Sequence, residues 1–182
     1  MNASIERMRI RPMEKRDLDY VIDSWLRTYK ESPAMRQPGL VHKDYYRLTH
    51  LQLNELIARA SAKESAWVMY DPQMDPKREI LGYLVAEWFP QHSTAVIHWC
   101  QVKKMLWNKG VASGLIDFWQ AYHKIPKDNN ILYTFASQQL RPRHPSDEKH
   151  GFGQYAKEKY NLVYYPWFAF TSMPPGWEAS ST

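Results

Sequence analysis

Residues 102–116 constrain this chain more than any other segment. An apolar, β-prone stretch, residues 94–101, passes through a basic turn containing Lys103, Lys104, Lys109 and Gly110. It then enters a run in which Val111, Leu115, Ile116 and Trp119 recur at helical spacing. The first turn of a helix leaves backbone N–H groups unpaired, and a glycine there lets the backbone come close to an anion, so the junction is built to hold phosphate. The same residues also fit an ordinary strand-to-helix turn in which Gly110 eases the bend.

The rest of the chain supplies the elements around this junction. Residues 7–12 alternate and stop at Pro12, which reads as a first strand, an edge or early one. Leu18, Val21, Ile22, Trp25, Leu26 and Tyr29 mark an amphipathic helix over about residues 14–30, and Tyr46, Leu48, Leu51, Leu53, Leu56 and Ile57 mark a second over about 43–62. Residues 66–70 and 79–89 read as strands joined by a turn-rich segment, a hairpin. The strand with His98 and Cys100 follows, then the basic turn and a helix ending near His123 or Lys124, before Pro126. Residues 130–136 and 162–170 read as the last two strands, separated by a polar loop over 137–147 and a short helix around 152–160. The expected order is β-α-α-β-β-β-α-β-α-β, an α/β (α+β, mixed-sheet) fold in a single domain spanning residues 1–182.

Composition narrows the class without deciding the function. A chain of 182 residues can bury a core without disulfides or metal, and its one cysteine, Cys100, allows no internal disulfide and suits a reducing compartment. The first residues lack an apolar signal core and no run approaches the roughly 20 apolar residues of a membrane span, so a soluble cytoplasmic protein is expected. The net charge of +5 suits an anionic nucleotide-bearing ligand, and would equally suit nucleic acid. CxxC, HExxH and GxxxxGK[ST] patterns are absent and the histidines are dispersed, so no metal site is expected.

Trp107-Asn108-Lys109-Gly110-Val111-Ala112 resembles the acetyl-CoA pyrophosphate loop of the GCN5-related N-acetyltransferase (GNAT) superfamily, in which Arg or Gln, two variable residues, Gly, one variable residue and Gly or Ala follow in order. Trp107 departs from the pattern, standing where the family has Arg or Gln. The element order is also that of the GNAT fold, so the resemblance runs from Arg9 to Phe170. It implies an acetyl-CoA-dependent N-acetyltransferase acting on a primary amine of a small molecule, peptide or protein. By the same resemblance Cys100, Gln101 and Val102 would contact the cofactor's pantetheine arm through their backbone, and Trp107, Asn108, Lys109, Gly110, Val111, Ala112 and Ser113 its phosphates.

Acetyl transfer requires a group that accepts the amine proton and one that protonates the leaving thiolate. His98 is the leading proton acceptor, since imidazole titrates near neutral pH and the residue lies four positions before the end of its strand. Strict alternation puts Val96, His98 and Cys100 on one face. By resemblance, His98 falls on the second of two strand histidines in the arylalkylamine N-acetyltransferase branch, with Val96 in place of the first. Glu87, near the end of the preceding strand, is the alternative base. Cys100 reads as a small core residue rather than a nucleophile.

The resemblance also implies a general-acid tyrosine in the helix before the last strand; in Tyr155-Ala156-Lys157-Glu158-Lys159-Tyr160 the match to that pattern slips by two residues, and Tyr155 is the expected acid, with Tyr160 second. The resemblance assigns the acceptor pocket to Trp25, Tyr29, Tyr45, Tyr46 and the 137–153 loop, whose aromatics suit an apolar or cationic amine. The competing reading is a catalytically silent GNAT-fold module that binds protein or nucleic acid, with Arg141, Arg143, His144, Lys149 and His150 as its basic loop.

Overall fold

The computed structural model describes residues 7–31, 65–75, 78–133 and 158–164, together with the single positions Arg47, His50, Leu51, Asn54 and Glu55. In chain order the elements are β1 (Arg9–Pro12), a 3-10 turn (Lys15–Asp17), α1 (Leu18–Glu31), β2 (Ala66–Tyr70), β3 (Ile80–Phe89), β4 (Thr94–Val102), α2 (Val111–His123), β5 (Ile131–Tyr133) and β6 (Leu162–Tyr164). The five single positions within the expected second helix are helical, as are residues 158–160 of the expected short helix. The remainder of those two segments, and of the last two strands, lies outside the described residues.

The six strands form one mixed sheet in sequence order. β1 to β4 pair antiparallel, and β5 and β6 are added in parallel. The change of direction falls where α2 carries the chain from the end of β4 back to the start of β5, as a parallel connection requires.

Both faces of the sheet are covered. α1 buries Leu18, Val21 and Ile22 against Val68, Tyr83, Val85 and Trp99. α2 buries Val111, Leu115, Ile116 and Trp119, the positions expected from their spacing, against Met69, Leu84, Ala86, Ile97 and Val102 on the other face. Gly82 sets how closely α2 approaches: a Cβ there would lie 2.9 Å from the Gln101 carbonyl oxygen and 3.0 Å from Val111 Cγ1. A glycine in β3 therefore lets the first turn of α2 sit on the β3–β4 pair.

The N-terminal elements are fastened by charge. The Glu14 backbone N–H donates to Asp17 Oδ2 at 2.8 Å, a capping-box contact at the entry to α1. Asp17 is only 3 % exposed, and Arg11 of β1 donates to both its oxygens, at 2.6 and 2.9 Å, and to Glu79 Oε1 at 3.2 Å. The hydrogen bond to Asp17 holds the Arg11 guanidinium even more firmly charged than usual. One side chain thus joins β1, the entry to α1 and the residue before β3.

Candidate active site

β3 and β4 present the two candidate bases together. In the register Val85 faces Trp99 and Ala86 faces Ile97, so the pairing steps over His98. This extra residue is a β-bulge, which bends a strand and re-aims a side chain. His98 Nε2 lies 2.7 Å from Glu87 Oε2, and both side chains are about one quarter exposed. Glu87 is opposite Val96, one step past the bulge, and lies on the same face as Tyr83 and Val85, the face that α1 covers.

The bulge corrects the expectation that Val96, His98 and Cys100 share a face. Val96 pairs with Glu87 and Cys100 with Leu84, three residues apart on a regular stretch of β3, so the two point to opposite faces. Cys100 packs against the cluster under α2, while His98 turns toward Glu87. Desolvation pushes the Cys100 thiol up to about 12, which keeps it protonated and poorly nucleophilic at neutral pH.

Gln101 has a role that sequence reasoning did not find. Its Oε1 accepts from Tyr83 Oη at 3.1 Å and from Trp99 Nε1 at 3.2 Å, while Tyr83 Oη also lies 2.9 Å from Ser24 Oγ of α1. A buried tyrosine hydroxyl needs partners, and these residues provide them. Burial raises the Tyr83 hydroxyl well above the ordinary phenol range. The available signal was a tyrosine within the apolar stretch 80–86 of β3. The Gln101 side chain is committed to this network.

The turn after β4 is held at several points. The Lys103 N–H donates to the Leu81 carbonyl at 2.9 Å, the Lys103 ammonium donates to the Arg78 carbonyl at 2.7 Å, and Leu106 is buried. Trp107 sends its indole N–H to the Val102 carbonyl at 3.1 Å. Asn108 and Gly110 then take left-handed conformations, with φ of 62° and 76°. At Gly110 a Cβ would meet no protein atom within 4 Å, so what favours glycine there is the backbone conformation, and the space beside it is open.

No side chain caps α2, and the first hydrogen bond into the helix runs from the Gly114 N–H to the Gly110 carbonyl at 2.8 Å. The amides of Val111, Ala112 and Ser113 therefore precede the helix ladder at the positive end of its dipole, beside the exposed Lys104 and Lys109. Left-handed residues next to such amides form a concavity suited to an anion. Among the described residues no group of His, Cys, Asp and Glu could hold a metal ion, and no helix is long and apolar enough to cross a membrane.

Tyr155 lies outside the described residues, as do Tyr45, Tyr46, the 137–153 loop with its basic residues, and the side chains of Trp25 and Tyr29. Tyr160 is buried, donates to the Ser113 carbonyl at 3.3 Å and has its hydroxyl pushed up to about 12 chiefly by desolvation. It braces the first turn of α2.

No protein-family model matches the chain, and no curated protein matches it. Solved structures do. A protein from Clostridium difficile 630 described as a possible acetyltransferase superposes with a TM-score of 0.50 at 13 % identity, covering 92 % of this chain and 97 % of its own. The fold is that of the GNAT acetyltransferases. PaiA N-acetyltransferase from Thermoplasma acidophilum, solved with coenzyme A, gives 0.48 at 14 % identity over 64 % of this chain and 72 % of its own. The aminoglycoside N-acetyltransferase AAC(6')-Iy, also solved with CoA, gives 0.48 at 13 % over 90 % and 92 %.

Proposed function

We propose that the chain is an acetyl-CoA-dependent N-acetyltransferase whose acceptor is a primary amine. The observation that carries this reading is the content of one continuous stretch. β4 presents His98 paired with Glu87, then runs roughly 13 Å of strand from His98 to Val102, and leads directly into the uncapped, basic N-terminus of α2. A ligand with phosphates at one end, an amide-bearing arm in the middle and a reactive acyl group at the other matches that sequence of surfaces.

In this reading the amides of Asn108 and Gly110 to Ser113, with Lys109, receive the phosphates, and the backbone of Cys100, Gln101 and Val102 lies along the arm. His98 is the base. With its Nε2–H given to the Glu87 carboxylate, the lone pair resides on Nδ1 and takes the proton of the incoming ammonium. Glu87 orients the ring and stabilises the imidazolium that forms. The amine nitrogen bonds to the acetyl carbon, the carbon–sulfur bond breaks, and the thiolate leaves to be protonated, the role proposed for Tyr155. The half-buried Cys100 thiol takes no covalent part.

Thiol release from acetyl-CoA in the presence of a panel of aryl, alkyl and peptide amines tests the reading, with mass detection of the acetylated product. Amine-dependent release is expected. Saturable binding of acetyl-CoA without acetyl product from any amine would instead support the silent binding module.

A further inference from the structure

We propose that Trp107 is the positioning residue of the anion-binding turn. Its indole holds the end of β4 and the N-terminus of α2 at a fixed spacing, so that a ligand spanning both surfaces meets them together. The proposal rests on the acetyl-CoA reading for the identity of that ligand. Val102 is the last residue of β4, and its carbonyl accepts the Trp107 indole N–H at 3.1 Å, closing residues 102–107 into a side-chain-bridged ring.

The backbone bonds inside the turn are local, and two of them are long. The Trp107 N–H reaches the Lys104 carbonyl at 3.2 Å and the Lys109 N–H reaches the Leu106 carbonyl at 3.3 Å. The indole bond runs back to the sheet itself. Trp107 is 37 % exposed, so burial alone does not account for an indole here, whereas a directed N–H donor does. Immediately after Trp107, which is extended at φ −61° and ψ 145°, the chain turns left-handed at Asn108 and presents the amides of the helix start. A shift at Trp107 therefore moves those amides relative to β4.

A bridged spacing has a particular signature. A ligand that touches both β4 and the turn depends on it, and a fragment that touches the turn alone does not. Trp107→Phe keeps the ring and removes the donor; Trp107→Gln restores an N–H that can reach the same carbonyl. Trp107→Phe is expected to raise the KM for acetyl-CoA about five- to tenfold, the loss of one hydrogen bond, with kcat within about twofold. Affinity for inorganic pyrophosphate is expected to stay at the parent level, and Trp107→Gln to recover most of the lost acetyl-CoA affinity. Amide hydrogen exchange at Trp107, Lys109 and Gly114, whose N–H groups are bonded within and just beyond the turn, is expected to quicken without ligand in Trp107→Phe, while exchange in β3 stays unchanged. Parent-like KM together with parent-like exchange in Trp107→Phe overturns the proposal, as does a KM change that Trp107→Gln fails to reduce. If the parent binds no acetyl-CoA, the acetyl-CoA reading fails, and exchange at Trp107, Lys109 and Gly114 still decides the tether: faster exchange upholds it and unchanged exchange overturns it.

Discussion

The 2.7 Å contact between His98 Nε2 and Glu87 Oε2 joins two strands across a bulge and holds the imidazole against a carboxyl group. His98→Ala is expected to lower kcat by roughly 10²- to 10⁴-fold, the usual contribution of a general base, while acetyl-CoA affinity stays near the parent value. Glu87→Gln, which keeps a hydrogen-bond acceptor but removes the charge, is expected to fall between the two. Steady-state kinetics with separate binding titrations check this; equal kcat for His98→Ala and the parent would remove His98 from the mechanism.

Gly82→Ala tests how the turn is carried by the fold. The new Cβ would press on the Gln101 carbonyl at 2.9 Å and on Val111 at 3.0 Å. We expect a stability loss of about 1–3 kcal/mol by denaturant titration and a weaker response to acetyl-CoA, because relief of the clash lifts α2 from β4. Parent-like stability would show that α2 is seated more loosely than described.

Arg11 holds a carboxylate that is almost wholly buried. Arg11→Ala leaves Asp17 and Glu79 without that cation and is expected to cost about 3–5 kcal/mol. Arg11→Ala combined with Asp17→Asn should cost less than Arg11→Ala alone, since the stranded charge is then removed. Denaturant midpoints of the single and double variants measure this directly.

Cys100 links burial to pH. Its thiol ionises near 9 when unfolded and is pushed up to about 12 in the fold, so the folded state favours the protonated form. Its stabilising contribution is complete below about pH 9 and is lost as pH rises from there toward 12. Cys100→Ala should therefore lose less stability than the parent between about pH 8 and pH 10.5, and it should retain parent-like turnover. Iodoacetamide should label the folded parent slowly at pH 8. Rapid labelling, or loss of activity in Cys100→Ala, would contradict this account.

The fold was largely legible because its elements have clear periods. The spacing of Val111, Leu115, Ile116 and Trp119 marked the buried stripe of α2, and Pro126 marked its end. The bulge at His98 was not legible. Along β4 the buried residues Ala95, Ile97 and Trp99 alternate without interruption, yet Ile97 packs under α2 and Trp99 under α1. With both faces of a sheet covered, alternation of burial no longer reports which face a side chain takes. Trp107 was visible as a departure from the loop pattern, but its bond to Val102 forms only once the turn folds back on the end of β4. The Ser24–Tyr83–Gln101 network joins α1 to β4 across 77 positions of sequence and exists only once the sheet is formed.

The central claim is that the turn between β4 and α2 receives acetyl-CoA. Isothermal titration of acetyl-CoA into the parent and into Gly110→Glu tests it most directly, since Gly110 borders open space and a glutamate there adds a side chain and a negative charge beside the helix amides. The account predicts one-site saturable binding by the parent and none by Gly110→Glu in a variant that remains folded. No saturable heat from the parent at high micromolar acetyl-CoA, or equal affinity in the two proteins, would contradict it.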